Sequence, residues 1–401
     1  MRYLPMEPNR KIKPVLPTAA ADGPPVIDAA AGAAPPAGAD APPAAAGKPS
    51  SAAGFSLRDK WPLMVLFLLL VAASIWAVVS QSRDFSLAEF LAFVKKASPG
   101  WLLAGALGML GFIFFEGEAV LCLCRAFGFP RSHRRGFVYS ASDVYFSAIT
   151  PSASGGQPAS AFFMLKDGIP TSVSTVVLIA NLEMYSLAIL TITLIMTALY
   201  YPVIHAFSPF SKLLIIAGTV IQVVLVVLLV LLLTRERWVL AIVRFLTRLG
   251  HRLHIVRDLE RSFLRAEKWA GGYAEASRML HGQGRTLAKV FLLNFLQRVS
   301  QLSVTMFCYL AITGRTENAG RLFAMQTFVV AGSNSIPIPG AMGAADYLML
   351  DGFGSLMSKS DAVLLELLSR SLSFYACVLI CGTVTLFSFL YVYRHRKEKS
   401  K

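Results

Sequence analysis

Charged side chains recur in this chain where apolar residues dominate: Glu116 and Glu118 in EGEAVL, Asp143 in SASDVYF, Glu183 in NLEMYS and Arg298 in NFLQRVSQ. An ionisable group inside an apolar segment is costly to bury, so it marks a substrate pathway, a proton relay or an ion pair. Glu366 and Arg370 stand four residues apart, which places both on one helix face and lets them pair with each other. Arg298 has no acid at that spacing. It is expected to serve an interior partner: Glu183, Asp346 or a lipid phosphate. Lys166 and Asp167, just before a Gly, read as interfacial anchors. The six histidines are scattered, without HExxH-like spacing, so no metal site and no cofactor is expected. No nucleophile stands with a base and no DxD-like motif is present, so the chain is not expected to be an enzyme.

Two stretches interrupt the apolar pattern. In ITPSASGGQPAS, Pro151 disfavours helix at Thr150, and Gly155 and Gly156 permit left-handed backbone. Pro158 suits the first turn of a new helix, where its missing N–H costs nothing. The new helix would begin with unpaired N–H groups and about half a positive charge, which favours a phosphate. Ser152, Ser154 and Gln157 add neutral hydrogen-bonding groups. In SNSIPIPGAMGAADY, Pro337, Pro339, Gly340 and Gly343 produce a second break, and Asp346 falls in the first turn of the helix that follows. There it could cap that helix, compete with an anion or carry a proton. Neither break is a nucleotide loop, because no GxxxxGK is present. The alternative is that both are helix-breaking loops packed against neighbouring spans.

The elements that must position these groups follow from composition. Of 401 residues, 55% are hydrophobic and 15% charged, against about 25% charged in a soluble domain. Uninterrupted apolar segments occupy 62–80, 100–123, 171–199, 212–234, 287–312 and 361–392, and lengths near 20 residues cross a bilayer. The net charge of +15 is concentrated at the ends of these segments. That distribution fits the positive-inside rule, with some attraction to anionic head groups, and no nucleic-acid partner is expected. The five cysteines, Cys122, Cys124, Cys308, Cys377 and Cys381, lie in or beside apolar segments and form no CxxC pair. Residues 1–55 are Ala/Pro-rich and cannot bury a core, so a disordered leader is expected. No signal peptide is expected ahead of the first apolar run.

Charge also orders the segments. Arg58 and Lys60, the stretch RAFGFPRSHRR, the twelve Lys and Arg of 235–289 and the tail at 394–401 all belong inside. They can all be inside only if the broken segments 137–165 and 321–357 do not cross. Each arm is about 10 to 16 residues, or roughly 15 to 24 Å of helix, too short for a ~30 Å core. The expected fold is an all-α polytopic membrane protein, with about six spanning helices plus two re-entrant broken helical hairpins entering from opposite faces. The transmembrane domain would cover 56–393, with basic amphipathic helices at 235–286 on the cytoplasmic side. Both termini would be cytoplasmic. Paired Gly/Pro-interrupted segments point to a transporter's substrate site.

Three stretches carry a resemblance: SASGGQPASAFFMLKDGI, KVFLLNFLQRVSQ and IPIPGAMGAADY. In that order they resemble the lysylphosphatidylglycerol synthase transmembrane-region family, the flippase-like membrane domain of the multiple peptide resistance factor. The resemblance covers about 58 to 393. It implies a multi-pass protein of a prokaryotic plasma (inner) membrane linked to phospholipid translocation. The implied site positions are Gly155, Gly156, Gln157, Pro158, Pro339, Gly340, Gly343 and Asp346. Relatives often have a glutamate where this chain has Asp346, which keeps the acid one methylene shorter. The aminoacyltransferase domain that follows this region in the full synthase is not expected after Lys401, so lysyl transfer does not carry over.

The implied function is a flippase or scramblase for an anionic or aminoacylated phospholipid, with membrane phospholipids, and a separate lipid-modifying enzyme, as partners. The sequence leaves the oligomeric state open. An ion-coupled transporter of a small solute would use the same cavity. A head-group transferase lacks a catalytic constellation, and a membrane scaffold has no obvious use for the two breaks.

Overall fold

The computed structural model describes residues 94–150, 153–252, 259–334, 336 and 343–398, all within one compact unit, Trp61–Lys401. The leader at 1–55, the first apolar run at 62–80, and Ser152, Pro337, Pro339 and Gly340 lie outside the described residues. Among the described residues every regular element is helical. Of the described helices, four are long and apolar enough to cross a membrane: α1 (Pro99–Ala126), α4 (Thr171–Leu199), α5 (Pro209–Thr234) and the continuous stretch Lys359–Val392. The remaining helices are α2 (His133–Ile149), α3 (Gly156–Lys166), α6 (Glu236–Arg252), α7 (Leu259–His281), α8 (Gly284–Thr313), α9 (Ala319–Ser333) and α10 (Ala344–Phe353). Lys359–Val392 itself consists of α11 (Lys359–Arg370), a π-helical turn at Ser371–Ala376, and the start of α12 (Cys377–Glu398). The sequence reads that stretch as one uninterrupted segment. A π turn widens the helix by one residue, carries no composition signal, and is often found at functional sites.

Helix starts follow local chemistry. Ser208 precedes Pro209, and its hydroxyl accepts the Ser211 N–H at 3.3 Å, which starts α5. α5 then leaves Leu213, Ile216, Val220, Val224 and Val227 exposed, a face suited to lipid rather than water. α8 is as long as the apolar helices, yet it buries Asn294, Gln297, Arg298, Ser303 and Thr305. Its polar residues face protein, so the composition of α8 falls short of a lipid-facing span.

Lipid tails are as apolar as leucine, so close packing rather than water exclusion holds such helices together. α1 meets α8 along a seam of small residues. A Cβ on Gly108 would lie 3.1 Å from the Ser300 carbonyl oxygen, and one on Gly111 would lie 3.2 Å from the Ser300 hydroxyl. α1 meets α2 backbone to backbone: a Cβ on Gly117 would lie 2.7 Å from the Gly136 carbonyl. α7 docks on the end of α5 through Tyr273, whose hydroxyl donates to the Leu232 carbonyl at 3.1 Å, and through Ser277, which donates to Leu233.

Two apolar clusters result, and α1, α2 and α8 thread both. The first takes Met109, Phe112 and Ile113 from α1, Ala141 and Tyr145 from α2, and Val304 and Cys308 from α8. The second takes Ala119 to Cys124 from α1, Val138 and Tyr139 from α2, and Val290 from α8. Between them these helices bury polar residues, Glu116, Ser140, Asn294, Gln297 and Arg298. A polar layer therefore crosses the bundle between two apolar ones.

Candidate functional site

α2 and α3 fold back on each other. Asp167, just past α3, accepts a hydrogen bond from the Tyr139 hydroxyl and pairs with Arg135 at 3.3 Å, while its carbonyl accepts from Arg131 at 2.6 Å. Lys166 lies over the Phe162 ring at 5.3 Å. At the other end of the hairpin, the Gln157 amide donates to Asp143 Oδ2 at 2.8 Å and the Ser147 hydroxyl to Oδ1 at 3.2 Å. Asp143 is thus pinned against the start of α3.

The glycines of the first break serve a different need from the one their sequence suggests. Gly155 has φ −83° and Gly156 lies in α3. The left-handed residue is Ala153, with φ 52°. The glycines supply space instead. A Cβ on Gly155 would lie 2.8 Å from Thr150 Cγ2, and the Gly155 N–H donates to the Thr150 hydroxyl at 2.9 Å. A Cβ on Gly156 would lie 1.9 Å from Asp143 Oδ1 and 2.0 Å from the Ser147 hydroxyl. Pro158 occupies the first turn of α3, and Ser154 stands exposed just before that helix.

In the second break, Gly343 has φ 81° and precedes α10, a left-handed backbone that glycine adopts without penalty. The Gly343 N–H donates to Asp346 Oδ2 at 2.8 Å, so Asp346 caps the helix it begins. Its other oxygen accepts from Arg370, which also pairs with Glu366 at 3.5 Å. The Glu366–Arg370 pair is therefore present, with Asp346 as a third member. Both half-helices begin against a carboxyl group of this chain, Asp143 for α3 and Asp346 for α10.

Between the two breaks lies a cavity of about 240 Å³. Ser147 and Ala153 reach it from the first hairpin, and Ser333, Asn334, Ile336 and Ala345 from the second. Arg298 and Gln301 of α8, Tyr185 of α4, Gln326 of α9, and Ser369, Arg370 and Ser373 at the π turn complete its polar wall. Arg298 is residue 15 of the 30 in α8, and Tyr185 residue 15 of the 29 in α4 (counted from Gly284 and Thr171). The cavity therefore sits at mid-length of helices about 45 Å long.

Arg298 is 2% exposed. Its Nη1 donates to Gln301, and its guanidinium lies 3.5 Å from the Tyr185 ring centroid. Among the described residues its Nε and Nη2 have no hydrogen-bond partner, and neither does Gln326 Oε1. Buried donors are almost always satisfied, so these two nitrogens point to a ligand or water. Arg298 meets neither Asp346 nor Glu183. Asp346 belongs to Arg370, and Glu183 is set apart, with His281 as its electrostatic neighbour. Glu118 pairs with Arg125 at 3.7 Å and with His133 at the base of the first hairpin.

The profile of a family described as the lysylphosphatidylglycerol synthase TM region matches residues 64–381. The chain belongs to the lysylphosphatidylglycerol synthase transmembrane-region family. That match spans the four apolar helices up to Cys381, both breaks and the cavity, and it makes this a multi-pass membrane protein of a lipid-related family. No curated protein matches the chain. Of the groups around the cavity of this family member, Tyr185, Gln301, Gln326 and Ser373 are not evident as site residues from sequence. One signal was available: Asn294, Gln297, Arg298 and Gln301 recur at three- to four-residue spacing, a polar stripe on an otherwise apolar helix.

Proposed function

We propose that this protein translocates an anionic or aminoacylated phospholipid, passing its head group through the cavity while the acyl chains stay in the bilayer. The observation that carries the reading is Arg298, a buried guanidinium that lines a cavity reached by both breaks and whose Nε and Nη2 have no hydrogen-bond partner among the described residues. Such a fork suits two oxygens of one phosphate. The Tyr185 ring holds the guanidinium beside α4. Because Asp143 and Asp346 already face the two half-helix ends, the attraction for an anion comes from Arg298 rather than from the helix dipoles. Ser154, Gln157 and Pro158 lie at the tip of the first hairpin and Gly343 at the start of α10.

In this reading α2–α3 and α9–α10 are re-entrant hairpins entering from opposite faces, and 62–80 and α8 bring the spanning helices to six. Both termini and α6–α7 are cytoplasmic, in a prokaryotic plasma membrane, and the protein is not itself an enzyme but works beside a separate lipid-modifying one. Purified protein in liposomes containing head-group-labelled phosphatidylglycerol tests it. Translocation faster than in protein-free liposomes supports the reading. Uptake of soluble glycerol phosphate without lipid movement would replace it with a solute transporter.

A further inference from the structure

Behind the cavity wall lies a second polar group that anion recognition does not use. The Glu116 and Asp143 carboxyls lie within hydrogen-bonding reach of each other, with Glu116 6% and Asp143 7% exposed. Glu116 Oε2 accepts from the Ser140 hydroxyl and from the Gln297 amide, both at 3.2 Å. An ionised carboxyl group has only acceptors, so two of them in contact need a proton between them. Gln297 is fully buried and, among the described residues, its Oε1 has no partner. Ser147 links the pair to the cavity: its hydroxyl bonds Asp143 Oδ1 and itself lines the cavity.

We propose that the Glu116–Asp143 pair binds a proton in concert with an anion at Arg298, so that translocation is coupled to protons. The argument is charge balance, and it rests on the anion reading above. Arg298, one residue along α8 from Gln297, is the cation whose field reaches Glu116. Two carboxylates and one guanidinium leave one net negative charge, which a single bound proton cancels. An anion on Arg298 restores the deficit, and a second proton cancels it again. Each ligand then favours the other by the same factor, as linkage requires. The proton passes from the cavity to the pair by way of the Ser147 hydroxyl, and no covalent bond of the lipid changes.

The other charges nearby are already engaged. From α1, Glu118 faces Arg125 and His133. Past α3, Asp167 faces Arg135 and Tyr139. Across the cavity, Arg370 holds Asp346 and Glu366. α4 contributes Tyr185, which covers Arg298, and Glu183, which faces His281. Among its described side chains α12, packed on α2, offers as titratable groups only Cys377, Cys381 and Tyr391.

Calorimetric titration of the full-length protein in detergent with dihexanoyl phosphatidylglycerol tests this, between about pH 5.5 and 8.5 and in buffers of different ionisation heat. The expected result is uptake of about one proton per anion, with affinity falling up to tenfold per pH unit where that proton is released. The double variant Glu116→Gln with Asp143→Asn should flatten that dependence, whereas either change alone leaves one carboxyl to take up a proton with the anion. Binding that is equally tight at every pH without proton uptake would overturn the proton pair and leave the anion site standing. An absence of binding at every pH would instead remove the anion reading itself. If the double variant fails to fold, the proton count of the unaltered protein decides alone.

Discussion

A Cβ placed on Gly156 would lie 1.9 Å from Oδ1 of Asp143. The second glycine of the first break is there so that a buried carboxyl can reach the start of α3. Gly156→Ala must displace Asp143 and Ser147, and the Asp143 carbonyl oxygen, 2.6 Å from the same point, blocks an easy retreat. Overpacking of this kind costs about 1–3 kcal/mol. We expect thermal unfolding in detergent to show a clear loss for Gly156→Ala and none for Gly100→Ala, whose Cβ would meet nothing within 4 Å. Equal melting of the two variants would contradict the space argument.

The Asp346–Arg370–Glu366 group should respond asymmetrically. Removing Arg370 leaves two partly buried acids facing each other, and breaking a buried pair in this way costs about 3–5 kcal/mol. Asp346→Asn keeps an acceptor for the Gly343 N–H and removes one charge. Arg370→Ala should therefore destabilise far more than Asp346→Asn, and chemical unfolding curves of the two variants would decide.

At the end of α10, outside the four apolar helices, Asp351 accepts the Ser208 N–H at 2.8 Å. Burial pushes its carboxyl upward, but the Ser211 and Ser208 hydrogen bonds and the nearby Lys212 outweigh that and hold it below its ordinary value. A depressed carboxyl contributes stability that is complete above the unfolded value of about 3.9 and is lost as pH falls through the folded one. The melting temperature of the unaltered protein should exceed that of Asp351→Ala at pH 6, with the gap closing below about pH 4. A gap independent of pH would assign the contribution to packing instead.

Much of this arrangement is legible in the sequence, because its signals are local. The helices at 100–123, 171–199 and 212–234 appear as Pro99–Ala126, Thr171–Leu199 and Pro209–Thr234, since long apolar runs have few other solutions in a membrane. Breaks at Thr150–Gly155 and before Gly343 follow from Pro and Gly chemistry. Partnerships between distant helices are less legible. Nothing in the spacing of Asp346 and Arg370, or of Glu116 and Gln297, announces their contact. Periodicity gives a face but not the neighbour that the face meets. For the same reason Arg298 pairs with neither of the two acids expected from sequence, and the π turn at Ser371–Ala376 interrupts a segment that reads as continuous. The first break's glycines read as left-handed positions because a vacant Cβ and a positive φ leave the same letter in the sequence.

Arg298 is where both breaks and the polar layer meet, so its side chain tests the central claim most directly. Translocation of labelled phosphatidylglycerol in liposomes should be compared among the unaltered protein, Arg298→Ala and Arg298→Lys. Loss of the two-pronged donor predicts a rate at least about tenfold lower in Arg298→Ala, with Lys, a point charge lacking the fork, recovering only a fraction. Rates for Arg298→Ala equal to those of the unaltered protein, at matched incorporation and folding, would contradict the account.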